Sequence, residues 1–285
     1  MFDIKNILRC PKCGSDLSDD LSCPKCGEKF SYKHGVYNVI SMDLSGEQEY
    51  LYTDDIPDDA SEIFPKDMEM NMEKVWEEYY AVLNKETREA MDKQLEVVRE
   101  KIQAMSGTVM DLATGGGGML QNIIDFGSPE LEIICTDINV MELMTTRVRR
   151  NGARKNISYV ATDGRYLAIK DGSVDYITSF AGFGNIPEAD KMTKELYRVL
   201  KPGGKIMIQD SFIEKGTKSY ELACSVGVER GLIEEYILHD LEEAGFKNVK
   251  ATVVAEAIWA ENPYDLIPAA GDNQRFCIIE AEKAE

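Results

Sequence analysis

Histidine is almost missing from this chain: His34 and His239 are the only two in 285 residues. His34 falls in a cysteine-rich stretch and His239 in an apparent helix ("LIEEYILHDLEEAGF"), and both read as ordinary structural or surface residues. A general base, where the chemistry needs one, has to be sought among other side chains. No run of eighteen apolar residues occurs, which excludes a membrane-spanning helix. The N-terminal "MFDIKNILRC" has no apolar core followed by a small-residue cleavage site, so no signal peptide is expected and the protein is expected to be cytoplasmic. Positive charge is also short. Lys and Arg number 32 against 51 Asp and Glu, a formal net charge of -19, and this weighs against a nucleic-acid partner.

The deficit is uneven. Residues 1–40 hold six basic and five acidic residues, whereas Asp43 to Glu73 hold eleven acids and one lysine. The segment 41–71 shows no clear period and reads either as a solvated linker or as a lid whose Tyr50, Tyr52 and Phe64 shield a reacting centre. The composition otherwise, 44% hydrophobic and 29% charged, is that of a globular protein large enough for one sizeable domain and a small appendage.

Cysteine is concentrated. Cys10, Cys13, Cys23 and Cys26 form C-x2-C-x9-C-x2-C within two copies of CPKCG. Two C-x-x-C turns supply the four thiolates of a tetrahedral zinc site, and a glycine after each pair suits the tight turn it needs. Paired disulfides are the competing reading, disfavoured in a chain expected to be cytoplasmic. Four sulfur ligands close the metal's shell, so zinc here is expected to be structural, clamping a unit of 1–40 that is too small to fold alone. Cys135 and Cys277 lie in apolar strands and read as core.

Beyond the acidic segment, Val75, Trp76, Tyr79 and Leu83 have helical spacing, as do Met91, Leu95, Val98, Ile102 and Met105. From residue 108 strands and helices alternate. Strands are expected at 108–112, 131–137, 157–162, 174–180, 204–210, 248–257 and 275–281, with helices near 118–126, 139–151, 188–200 and 231–244. That alternation predicts an α/β fold, a mostly parallel sheet with helices on both faces and its ligand at the carboxyl ends of the strands.

The chemistry-bearing residues fall there. The first of these strands, "TVMDL", runs into "ATGGGGML", a turn where a ligand can approach the backbone closely and meet a helix N-terminus. It is neither G-x-G-x-x-G nor a P-loop. The second strand ends in Asp137, placed to accept both hydroxyls of a ribose, and the third is followed by Asp163 and Gly164, placed for an adenine amino group.

"VMDLATGGGG", Asp137, "TDG", "ELYRVLKPGGKIMIQD" and "EEAGFKNV" together resemble the class I S-adenosylmethionine-dependent methyltransferases over residues 72–285. "DLATG" and the stretch "DGSVDYITSFAGFGNIPEADKMTKELYRVLKPGG" look most like the ubiquinone and menaquinone C-methyltransferases within that group. The resemblance implies a seven-stranded Rossmann-like sheet in the order 3-2-1-4-5-7-6 with the last strand antiparallel. It implies S-adenosylmethionine as cofactor, held by Asp111, Ala113, Thr114, Gly115, Gly117, Asp137, Ile138, Asp163, Gly164 and Phe180. Ala113 stands where the family has its first glycine. Residues 211–230 and 261–274, which shape the acceptor pocket in this superfamily, carry no quinone signature.

Methyl transfer to a small molecule is therefore expected, with Asp210 and Asn185, both just beyond strands, as candidates for orienting the acceptor and Asp210 as a possible base. The cysteine segment resembles the zinc ribbon of a ribosomal-RNA guanine methyltransferase and also a small zinc-ribbon activator of other methyltransferases. RNA as acceptor, and a non-catalytic cofactor-binding protein that recruits a partner through its ribbon, stand as alternatives. The basic stretch "RVRRNGARK" (147–155) reads as the solvated end of a helix. The oligomeric state has no signature in the sequence.

Overall fold

The computed structural model describes residues 3–46, 74, 77–150 and 156–285. Most of the expected linker or lid (47–71, with Tyr50, Tyr52 and Phe64), Val75, Trp76 and the 151–155 end of the basic stretch lie outside the described residues.

Among the described residues, a single sheet of nine strands organises the chain. A hairpin of β1 (Ser31–Lys33) and β2 (Val36–Asn38) precedes the helix α1 (Lys85–Ile102). There follow β3 (Thr108–Leu112), α2 (Gly118–Phe126), β4 (Glu132–Asp137), α3 (Val140–Arg150), β5 (Ile157–Ala161) and β6 (Val174–Phe180). The rest is α4 (Ala189–Val199), β7 (Leu200–Phe212), α5 (Lys218–Val226), α6 (Glu234–Ala244), β8 (Lys247–Ile258) and β9 (Asn273–Glu282). The order is β1-β2-β5-β4-β3-β6-β7-β9-β8. Counted from β3, this is the expected 3-2-1-4-5-7-6, with β9 antiparallel to both β7 and β8. The addition is at the other edge, where β2 pairs parallel with β5 through Val36–Tyr159, Tyr37–Val160 and Asn38–Ala161.

Every residue of β3 is buried, because helices cover both faces of the sheet. One face packs Val109, Ile133 and Cys135 against Val98 and Ile102 of α1, Leu120 and Ile123 of α2, and Leu143 of α3. The other packs Met110, Ile134 and Ile177 against Met192 and Leu196 of α4 and Ile237 and Leu241 of α6. Ile4, Leu8 and Leu21 of the cysteine unit join that second cluster through Leu167, Ala168 and Ile169. Main-chain bonds reinforce the contact, Arg9 N–H to Ala168 O at 2.9 Å and Lys170 N–H to Ile7 O at 2.8 Å.

Two expectations shift. The buried stripe of α1 runs through Ala90, Gln94, Val98 and Ile102, so Met91 and Leu95 sit beside it and are half-buried. The reason is Gln94, whose amide is drawn inward by two backbone carbonyls. Helix α5 forms where no element was expected; Thr217 caps it, its hydroxyl accepting from Tyr220 N–H at 3.2 Å.

Candidate active site

The order of the sheet reverses between β3 and β6, and a groove opens there beyond the carboxyl ends of the strands. Its floor is the loop from Ala113 to Gly117. Three of these five residues have left-handed φ: Ala113 (+51°), Gly115 (+47°) and Gly117 (+78°). Glycine adopts that conformation freely, whereas Ala113 bears about 1–2 kcal/mol of backbone strain. Neighbouring side chains hold the loop in place. Gly115 N–H donates to Asp137 Oδ2 at 2.8 Å. Thr146 and Arg149 of α3 donate to Gly115 O at 2.7 Å and Gly116 O at 3.0 Å. The basic end of α3 is thus partly built into the site, and Arg150 lines the groove.

The groove encloses about 1350 Å³. Of the residues expected to bind cofactor, Ala113, Thr114, Gly115, Asp137, Ile138, Asp163, Gly164 and Phe180 line it. Asp111 and Gly117 do not. Asp111 is wholly buried beneath the loop, where Thr178 Oγ1 donates to its Oδ1 at 3.0 Å and its main-chain oxygen accepts from Thr114 and Thr136, both at 3.0 Å. Burial pushes its carboxyl up to about 7. Gly117 caps α2 and packs so closely on Thr146 that a Cβ would lie 2.8 Å from its Cγ2. Asp111 supports the loop from beneath, and Gly117 seats its end against α3.

The two strand-end acids differ in what they can still bind. Asp137 accepts one N–H on each oxygen, from Gly115 and from Asn139, the latter also at 2.8 Å. A carboxylate has four lone pairs, so Asp137 can still accept from a diol. Burial raises the carboxyl above its ordinary value, the backbone bonds opposing this. Asp163 is more fully engaged. Arg165 donates to its Oδ1 from the backbone N–H (2.9 Å) and Nε (3.0 Å), and to Oδ2 from Nη2 (2.7 Å). Burial alone would raise Asp163, but these bonds hold it below the usual range. Arg165 also donates to Glu188 at 2.9 Å. Nothing but its position two residues beyond Asp163 marks this arginine in the sequence.

Past Phe180 a second cavity of about 170 Å³ adjoins the groove, and Tyr79, Met91, Phe180, Ala181, Asn185 and Asp265 line both spaces. Asp210 and Asn185, the expected acceptor-side residues, line it. Gly184 N–H donates to Asp210 Oδ2 at 3.0 Å and Ser211 N–H to Oδ1 at 2.8 Å, and burial pushes the carboxyl up to about 6. Asn185 Nδ2 donates to Ala181 O at 3.0 Å. The remaining wall was not foreseen residue by residue: Gln94, Gln209, Trp259 and Gln274 are brought in by four separate elements or their ends. Asp265, Ile267 and Pro268 come from the 261–274 segment expected to shape an acceptor pocket. Neither histidine lines either space.

Outside the lining of both spaces, the Sγ atoms of Cys10, Cys13, Cys23 and Cys26 all lie within 4.8 Å of one another. Cys10–Cys26 and Cys13–Cys23 are 3.6 and 3.4 Å apart, too long for disulfides. A tetrahedron with metal–sulfur bonds of about 2.3 Å has edges of about 3.8 Å, so the four residues can hold a metal ion. Gly14 (+73°) and Gly27 (+78°) make the two turns, with Gly14 N–H bonding Cys10 O and Gly27 N–H bonding Cys23 O. His34 is not in this group.

Residues 69–224 match the ubiE/COQ5 methyltransferase family. The chain belongs to that family. Among curated relatives it is similar to the ubiquinone/menaquinone biosynthesis C-methyltransferase UbiE of Escherichia coli, 30% identical over 119 residues, 40% of this chain and 47% of the relative. The chain thus spans about half the length of the curated relatives it matches. Among solved structures it is similar to phosphoethanolamine N-methyltransferase 2 of Haemonchus contortus in complex with S-adenosyl-L-methionine (TM-score 0.53, 21% identity, 67% of this chain and 52% of that one). It is equally similar to the [4+2]-cyclase SpnF (TM-score 0.54, 18% identity, 69% and 82%). At such identities the likeness shows the class I fold, which hosts more than one chemistry. No helix among the described residues is long and apolar enough to cross a membrane.

Proposed function

We propose that this family member transfers a methyl group from S-adenosylmethionine to a small-molecule acceptor. The observation that carries the reading is the junction at Phe180, Ala181 and Asn185, where a wide groove over the glycine loop meets a small cavity. A donor in the groove and an acceptor in the cavity would face each other there, which is the geometry in-line transfer needs. S-adenosylmethionine supplies a methyl on a sulfonium cation, so the protein need only place a nucleophile and exclude water. The groove suits such a donor. Asp137 can accept from a ribose, Asp163 and Gly164 flank the adenine side, and the acids Glu77, Asp137, Glu142, Asp163 and Asp265 outnumber the lining cations Arg150 and Arg165. Asp210 and Asn185 would orient the acceptor.

We further propose that Cys10, Cys13, Cys23 and Cys26 hold zinc as a structural ion in a ribbon of residues 1–40, with the methyltransferase unit spanning 72–285. The small size of the cavity and its acidic wall support a small acceptor over RNA.

Calorimetry with S-adenosylmethionine tests the donor half. Binding is expected, and Asp137→Ala should weaken it at least about tenfold, the loss of two charge-assisted hydrogen bonds. Absence of binding, or equal binding by the variant, refutes the reading. Transfer of radiolabelled methyl to a small-molecule panel tests the acceptor half.

A further inference from the structure

Hydrogen-bond acceptors and aromatic rings stand among the aliphatic side chains that line the 170 Å³ cavity. The acceptors are oriented from behind. Gln94 Nε2 donates to the main-chain oxygens of Asp210 and Cys277, both at 2.7 Å. Two carbonyls can face only the nitrogen end of an amide, so they fix Gln94 Oε1 as an acceptor. Gln209 must then present Nε2 to it, at 3.0 Å. Gln209 Oε1 is left without a partner, on a side chain that is 3% exposed and lines the cavity. The next residue, Asp210, adds two carboxylate oxygens that each accept a single backbone N–H. A third acceptor is Asp265, which takes the Tyr79 hydroxyl and the Asn262 amide. Tyr79, Phe180, Trp259 and Phe276 supply ring surface, and no Lys, Arg or His among the described residues lines the space. The buried Trp259 Nε1 is the one donor there without a partner.

A cavity of this kind sorts nucleophiles by charge. A phenolate, enolate or carboxylate would bring a second negative charge beside Asp210 with no cationic side chain in the lining to offset it, at a cost that burial enlarges. An amine reacts as a neutral nucleophile and leaves as a cation, which carboxylates and ring faces stabilise. We propose that the cavity is an amine-binding site and that the acceptor is a small primary or secondary amine. Gln209 Oε1 and Asp210 accept its N–H groups, and Trp259 Nε1 donates to an oxygen elsewhere on the molecule. In the transfer one N–C bond forms as one S–C bond breaks. The positive charge passes from sulfur to nitrogen, and the resulting ammonium releases one proton to solvent. The proposal rests on the methyl-transfer reading above and narrows its acceptor.

The test is calorimetry on the full chain saturated with S-adenosylhomocysteine, titrated at pH 7.5 with benzylamine, benzyl alcohol and benzoate, which share one shape and differ in charge. Benzylamine should bind at least about tenfold more tightly than benzyl alcohol, with benzoate weakest. Asp210→Asn should reduce that preference to threefold or less, on the order of a single lost charge contact, with affinity for S-adenosylhomocysteine unchanged. Asp265→Asn, on a half-buried loop, should reduce it in the same direction and keeps the test valid if Asp210→Asn does not fold. Normal S-adenosylhomocysteine binding together with benzoate as tight as benzylamine, no binding of any of the three, or a preference untouched by both variants overturns the amine site alone. Failure to bind S-adenosylhomocysteine overturns the methyl-transfer reading and the amine site with it.

Discussion

Gly182 is the position where the smallest change should reach the proposed donor site. It lies just beyond β6 and faces the first residue of the glycine loop. A Cβ at Gly182 would sit 2.6 Å from Ala113 Cβ and 2.7 Å from Ala113 O. Carbon atoms in good contact stand about 3.5–4.0 Å apart, so something must move by close to 1 Å. No flexible side chain is available to yield, since the obstacles are a Cβ and a main-chain oxygen. The loop beginning at Ala113 has to shift, and Ala113 already occupies a strained left-handed conformation. Overpacking of this type costs about 1–3 kcal/mol, which lowers Tm by roughly 2–10 °C for a domain of this size. Gly182→Ala should show that drop by thermal denaturation, with affinity for S-adenosylmethionine reduced about tenfold or more by calorimetry. Ala113→Gly removes the facing Cβ but not the oxygen, so the double variant should recover only part of both losses. Wild-type Tm and affinity in Gly182→Ala would refute the premise that the end of β6 supports the loop.

Other perturbations test separate parts of the molecule. Arg165→Ala leaves Asp163, 3% exposed, without its main ionic partner; unfolding in urea should show a loss of about 3–5 kcal/mol. Asp111 is held near 7 by burial against an ordinary 3.8, so between those values the folded chain keeps a proton that the unfolded chain has released. Stability from this group should therefore fall as pH rises from about 4 to 7, and Asp111→Asn should flatten that slope in denaturation curves taken across the range. Cys13→Ser should lower bound zinc, measured by elemental analysis, from one per chain to none and reduce Tm; a metal-free wild-type protein with native stability would contradict the ribbon assignment.

The groove was legible because its signals are local. Glycines after a strand, and acids at the ends of the next two strands, need no tertiary information to be placed on one rim of a parallel sheet. Strand order came with the family resemblance, since nothing in seven short apolar runs dictates which of them are neighbours. The small cavity was mostly illegible for the opposite reason. Gln94, Gln209, Trp259 and Gln274 converge from positions far apart in the chain, and a glutamine drawn inward by carbonyls looks in sequence like any polar helix residue. Arg165 was equally hidden, because an Asp-Gly-Arg turn reads the same whether its charges are paired or solvated. Ala113 was foreseen as a mild departure from glycine; the structure adds that it departs where φ is positive. The hairpin of β1 and β2 escaped because three-residue strands are too short to show a period.

That hairpin also decides how the sheet meets its surroundings. Without it β5 would end the sheet, leaving a row of unpaired main-chain groups of the kind that recruits another chain. β2 covers that row along Tyr159 to Ala161, and β1, only three residues long and ending in Lys33, becomes the exposed border. The N-terminal segment that carries the four cysteines thereby closes the β5 edge of the sheet with a short, charged border.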